Sequence, residues 1–133
     1  MINEHDIKDM WPGFKEQDPN GKNPHEAGAK LDANKIPLFR GLIDYFPRAC
    51  MAVAMVSAAG AKKYTWKGWE TVPNGVARYT DALTRHLFSE AKGETVDQDT
   101  GLLHAAHTAW NALARLELDI REAEKWNKPN GQV

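Results

Sequence analysis

His104, His107 and Asn111 recur at i, i+3 and i+7, a spacing that puts all three on one face of a helix. Directly before them runs an acid-rich stretch, Gly93-Glu94-Thr95-Val96-Asp97-Gln98-Asp99-Thr100-Gly101. Carboxylate oxygens suit hard cations, and a phosphate substrate commonly completes their coordination, so two carboxylates with a histidine fit Mg2+ or Mn2+. Each residue also has a plainer reading. A histidine beside a core can simply donate to a carbonyl, Asp99 can cap the following helix, and Glu94 and Asp97 can belong to a solvated acidic loop.

A second set of residues suits an anionic, aromatic ligand. Arg78, Asp81 and Arg85 share a helical face with His86 beside it, and a guanidinium fork matches phosphate oxygens. Lys62 and Lys63 can add positive charge for a polyphosphate, and Tyr64, Trp66 and Trp69 can stack on a base. The alternatives are a surface Arg–Asp pair, lysines that complement a helix end, and aromatics that plug the edge of a core.

Three helices are expected to position these groups. The first runs from about Pro47 to Lys63, with Pro47 suited to the first turn because its missing N–H costs nothing there. The second begins near Pro73 or Asn74 and ends at Gly93, with Val76, Tyr79, Leu83 and Leu87 as its buried stripe. The third, capped by Asp99 or Thr100, runs to about Trp126, and its apolar face is Leu103, Ala106, Trp110, Leu113, Glu117 and Ile120. No segment alternates with a period of two, so the expected fold is all-α: a small helical bundle with an extended N-terminal arm, completed by oligomerisation. Residues 1–35 read as the arm, in which Met10, Trp11 and Phe14 can dock on a surface. Residues 36–127 read as the domain, and 128–133 as a flexible tail behind Lys128-Pro129-Asn130-Gly131.

Composition narrows the function. The 133 residues fit one domain, and a formal net charge of -1 argues against a duplex nucleic-acid binder. No apolar stretch approaches the length of a membrane span, and the N-terminus lacks a signal core. A single cysteine, Cys50, within an apolar run fits a buried thiol in a reducing cytoplasm. Phosphate-loop, Cys-x-x-Cys, His-Glu-x-x-His and Gly-x-Ser-x-Gly signatures are absent, and His5-Asp6 lacks helical partners.

Read together, Gly28-Ala29-Lys30-Leu31-Asp32, Gly60-Ala61-Lys62-Lys63-Tyr64 with Trp69, Arg78-Tyr79, Ala82-Leu83 and Arg85-His86-Leu87 form an ordered set. Gly93-Glu94-x-x-Asp97, Thr100-Gly101-Leu102, His104-x-x-His107 and Asn111 continue it. In this order the chain resembles the bacteriophage dATP/dGTP diphosphohydrolase N-terminal domain family (MazZ-like), related to the all-helical MazG pyrophosphohydrolases. The resemblance implies metal-dependent hydrolysis of a purine nucleoside triphosphate, dGTP or GTP above dATP, to monophosphate and pyrophosphate in the host-cell cytoplasm. It implies Glu94, Asp97, His104 and His107 as metal and water-activating residues, with Lys63, Arg78 and Arg85 on the triphosphate. Lys62, Tyr64, Trp69, His86 and Asn111 complete the expected substrate contacts. One departure is plain: no acidic residue lies between Asp44 and Glu70, so the first helix supplies no Glu-Glu-x-x-Glu cluster of the wider superfamily.

Two other functions remain open on these residues. His86, His104 and His107 could bind Zn2+ in a bundle hydrolase. Alternatively, the chain is a non-catalytic nucleotide-binding or interaction module.

Overall fold

The computed structural model describes residues 15–127; the suggested docking of Met10, Trp11 and Phe14, His5-Asp6 and the tail lie outside them. The chain forms two compact units that divide between Tyr45 and Phe46, later than the change in composition at residue 35.

The first unit is organised by Asp18. Its carboxylate accepts the backbone N–H groups of Asn20 (2.8 Å), Lys22 (3.1 Å) and Lys30 (2.8 Å). These bonds, the one from Lys30 foremost, hold the carboxyl below its ordinary range. Asp18-Pro19-Asn20-Gly21 is a turn closed by Gly21 N–H on Asp18 O, with Gly21 at φ +77, where a side chain would be strained. A short π-helical turn, Phe39–Ile43, follows. The stretch expected to be a loose arm is thus a folded loop from residue 15 onward.

In the second unit α1 spans Pro47–Lys63, as the sequence predicts, with Pro47 in its first turn. A connection containing a 3-10 turn, Gly68–Thr71, leads to α2, Gly75–Ala91. Asn74, left-handed at φ 54, sets the entry to α2, and Gly93 at φ 95 ends it while Glu94 N–H returns to Ser89 O at 2.9 Å.

The last helix, α3, spans His104–Asn127 and begins after Thr100 rather than at it. Asp99 and Thr100 do not cap it, because residues 96–103 turn back on themselves first. Asp97 N–H reaches Leu102 O at 2.8 Å, and His104 N–H reaches Thr95 O at 3.0 Å, making an isolated antiparallel bridge of Val96 with Leu103. Among the described residues this bridge is the only extended pairing, and the fold is all-α.

Helices α2 and α3 run antiparallel: Tyr79 packs on Trp110, and His86 on His104 and His107. The approach is close at Gly75, where an added Cβ would lie 2.9 Å from Leu118 Cδ1. The burial pattern corrects the expected core. Val76, Leu87, Leu103 and Leu113 are exposed, whereas His104, His107, Asn111 and Ala114 are buried together with Ala106. The reason is rotational: α2 covers the polar stripe of α3, and the apolar stripe turns toward α1. There it lines a half-open groove of about 340 Å3 with Val53, Ser57, Trp69 and Trp110.

Candidate functional site

The polar stripe of α3 meets the end of α2 and the turn between the two helices. Glycine-terminated α2 delivers His86 one turn before its end. The 96–103 turn then carries Asp97 and Thr100 back over the start of α3, where His104 and His107 face inward.

Asp97, Thr100 and His107 form a closed set. The Thr100 hydroxyl donates to Asp97 Oδ2 at 2.9 Å and accepts Leu102 N–H at 3.3 Å. With its proton used, its remaining lone pair faces His107 Nε2 at 2.8 Å, so that nitrogen carries the hydrogen. His107 Nε2 also lies 3.3 Å from Asp97 Oδ2. Burial holds His107 below its ordinary pKa, outweighing the opposing pull of Asp97, so this contact joins a neutral imidazole to a carboxylate. Burial pushes Asp97 up. The Thr100 hydroxyl, the Asp99 N–H and the neighbouring histidines outweigh it, and the carboxyl titrates below its usual range.

His86 and His104 form the second set. Their Nδ1 atoms are 2.8 Å apart, so one donates and the other accepts. His104 Nε2 looks toward Glu94 Oε2 at 3.8 Å. The His86 ring stacks on His107 with centroids 4.4 Å apart and planes 7° from parallel. Burial, followed by the charges of His107 and His104, lowers the pKa of His86.

The candidate metal ligands are therefore assembled as two histidine–carboxylate pairs, His104 with Glu94 and His107 with Asp97, rather than as one convergent set. Among the described residues no group of three or more His, Cys, Asp and Glu side chains is arranged to hold a metal ion. The three-histidine zinc arrangement is not formed either. The stacked rings of His86 and His107 keep their in-plane lone pairs in separate parallel planes, and the Nδ1 atoms of His86 and His104 face each other.

The other expected residues divide. Arg85 adjoins His86, and its charge contributes to the lowered pKa there. Asn111 is buried beside the cluster, and its amide donates to the His107 carbonyl at 2.8 Å. Arg78 lies about 12 Å farther along α2, eight residues from His86, with Nη1 3.4 Å from Pro73 O. Lys62, Lys63 and Tyr64 close α1 and lead into the opposite end of the α2–α3 pair; Lys63 Nζ sits 5.4 Å over the Tyr64 ring, and Tyr64 and Trp66 are exposed.

Trp69 at that opposite end is a packing residue. It meets Tyr79 and Trp110 edge-on at 6.3 and 6.1 Å, and its carbonyl accepts the Tyr79 hydroxyl at 2.7 Å. Arg121 covers its ring at 5.5 Å while bonding Glu70 and Glu117. Thr100 is the participant that the residue-by-residue reading left out. Its signal was the Asp97-x-x-Thr100 spacing, which lets two side chains bond across one turn.

Comparison with known proteins agrees with the resemblance. The family model described as dATP/dGTP diphosphohydrolase, N-terminal, matches residues 25–128. A dATP/dGTP diphosphohydrolase of Salmonella phage PMBT28 is 42% identical over 82 residues, which are 62% of this chain and 26% of that protein. The match thus spans about a quarter of the relative's length. No solved structure matches.

Proposed function

The chain belongs to the dATP/dGTP diphosphohydrolase N-terminal family, and from that premise we propose that its histidine–carboxylate cluster serves the hydrolysis of a purine nucleoside triphosphate to monophosphate and pyrophosphate. The observation that carries this reading is the burial of His104 and His107 against Glu94 and Asp97 at one end of the helix pair. Burying two histidines beside carboxylates, where apolar side chains would pack more stably, is a pattern concentrated at reactive sites.

A divalent cation fits the donor chemistry, since Mg2+ is commonly held by one or two carboxylates and by substrate phosphates rather than by an all-protein cage. Glu94 and Asp97 would hold Mg2+ or Mn2+, and such an ion, when bound, would supply charge neutralisation and lower the pKa of water. The residues of the chain do the rest. Glu94, half-exposed, or His104 beside it takes the proton of the attacking water. The oxygen bonds to the α-phosphorus, the α–β bridging P–O bond breaks, and pyrophosphate leaves with that oxygen. The Thr100 hydroxyl, set against His107, keeps Asp97 ionised and oriented. Arg85 and Arg78 hold phosphate oxygens.

The test is incubation with dGTP, GTP and dATP, each with Mg2+ or Mn2+, and identification of products. Monophosphate plus pyrophosphate, fastest from dGTP or GTP, is the expected result, and intact triphosphates throughout would overturn it. The quarter-length match favours one second reading, in which this domain binds nucleotide while the reaction needs further chain. Saturable nucleotide binding without turnover in either metal would establish that reading. We also propose self-association, supported by exposed Met51 and Met55 on α1 and by the few apolar residues fully buried. A monomeric sedimentation profile at micromolar concentration would overturn it.

A further inference from the structure

The proposed reaction draws on both histidine–carboxylate pairs and gives His86 no part, although His86 is the ring that joins them. Its Nδ1 lies 2.8 Å from His104 Nδ1, across 18 residues of sequence. Its ring stacks on His107 with centroids 4.4 Å apart and planes 7° from parallel. An apolar ring would fill the same half-buried space with no polar atom to satisfy.

Two neutral imidazoles that meet through one nitrogen each share a single hydrogen there, so the donor sets the tautomer of both. If His104 donated from Nδ1, its Nε2 would turn a bare lone pair toward Glu94 Oε2, 3.8 Å away, against an oxygen that carries lone pairs of its own. If His86 donates, His104 Nδ1 accepts, and the His104 hydrogen stands on Nε2, facing that carboxylate. The second arrangement is favoured, since an N–H dipole stabilises a carboxylate and a lone pair repels it. The other pair is built in the same sense, with His107 Nε2 carrying its hydrogen beside Asp97. The stack on His107 fixes the plane of the His86 ring, and with it the direction of Nδ1.

We infer that His86 is a positioning residue, donating from Nδ1 to His104 and so holding His104 in the tautomer that presents Nε2–H to Glu94. This rests on the proposed hydrolysis and narrows it. A nitrogen that already bears a hydrogen has no lone pair for another, so the proton of the attacking water goes to half-exposed Glu94, which His104 orients.

The test compares the full chain with two variants. His86→Phe keeps a ring for the stack and loses Nδ1, whereas His86→Asn sets an amide nitrogen where Nδ1 stood and loses the stack. Heteronuclear NMR of the imidazole nitrogens, without nucleotide or metal and with the rings neutral, reads which His104 nitrogen bears the hydrogen. Steady-state kinetics with dGTP reads the consequence. The hydrogen is expected on His104 Nε2 in the parent and in His86→Asn, and on a mixture of both nitrogens in His86→Phe, which melts no lower than the parent. In His86→Phe kcat should fall about ten- to a hundredfold with KM changed less than about twofold, and His86→Asn should recover most of that loss. A hydrogen on His104 Nδ1 in the parent overturns the inference, even if His86→Phe does not fold. An unchanged His104 spectrum in His86→Phe also overturns it, as do equal losses in the two variants, which mark a packing role. A parent that hydrolyses no triphosphate sinks the hydrolase reading, while the spectra of parent and variants still decide what His86 does to His104.

Discussion

The two ends of the α2–α3 pair are built on opposite principles. At one end Trp69, Tyr79 and Trp110 meet edge-on, with Tyr79 bonded to a carbonyl, Trp110 Nε1 to Ser57 at 2.9 Å and Arg121 to two glutamates. At the other end the seam holds His86, His104 and His107 with Asp97 and Thr100, in bonds that leave several groups able to gain or lose a proton. The first arrangement stabilises the fold and reacts with nothing. The second is a poor way to fill a seam and a good way to hold a reactive group at fixed geometry.

That contrast breaks most clearly at Trp110, which touches both other aromatics and anchors Ser57. Trp110→Ala should lower unfolding stability by about 3–4 kcal/mol in urea titration. A loss below about 1 kcal/mol would show that the aromatic end is not the stabilising one. The converse variant is Asp97→Asn, which keeps shape but removes the charge that Thr100 and His107 converge on. Turnover should fall at least about a hundredfold while the urea midpoint moves little. Unaltered turnover would remove Asp97 from the chemistry.

Acid separates the ends next. Burial holds His86 and His107 below the ordinary histidine value of 6.5, so just below that pH the unfolded chain binds more protons than the folded one. Their contribution is intact above 6.5 and is lost as pH falls. Asp97, lowered from 3.8, adds a further loss only when pH drops through its folded value. Stability should therefore decline from pH 7 to 5, and His107→Gln should flatten that decline; an equal slope in the variant would contradict the burial argument. The smallest effect is expected from Lys62→Ala with Lys63→Ala. Both sit at the aromatic end, so KM should change by less than about threefold and stability by less than about 0.5 kcal/mol. A larger KM effect would bring that end into the substrate path.

The helices were legible because their signals are local. Pro47 starts α1, and Gly93 ends α2 at a positive φ. The pairing of His104 and His107 was equally readable, since i and i+3 must share a face. Lying beside the apolar stripe, that polar face also read as looking into the bundle, as it does; that it would be buried more deeply than the apolar stripe was not legible. The apolar stripe through Leu103 and Leu113 read as core, yet α2 docked on the polar stripe beside it, a choice set by where the 92–103 turn delivers the chain.

By itself, then, the sequence determined an all-α unit with histidines and carboxylates adjacent in the chain, because periodicity and end signals act within a few residues. Only the tertiary structure decided that His86 stacks on His107, that Thr100 ties Asp97 to it, and that Trp69 and the lysines belong to the far end. Those outcomes depend on the register of two antiparallel helices. Register is fixed by packing between residues far apart in sequence, such as Tyr79 on Trp110 and Gly75 beneath Leu118.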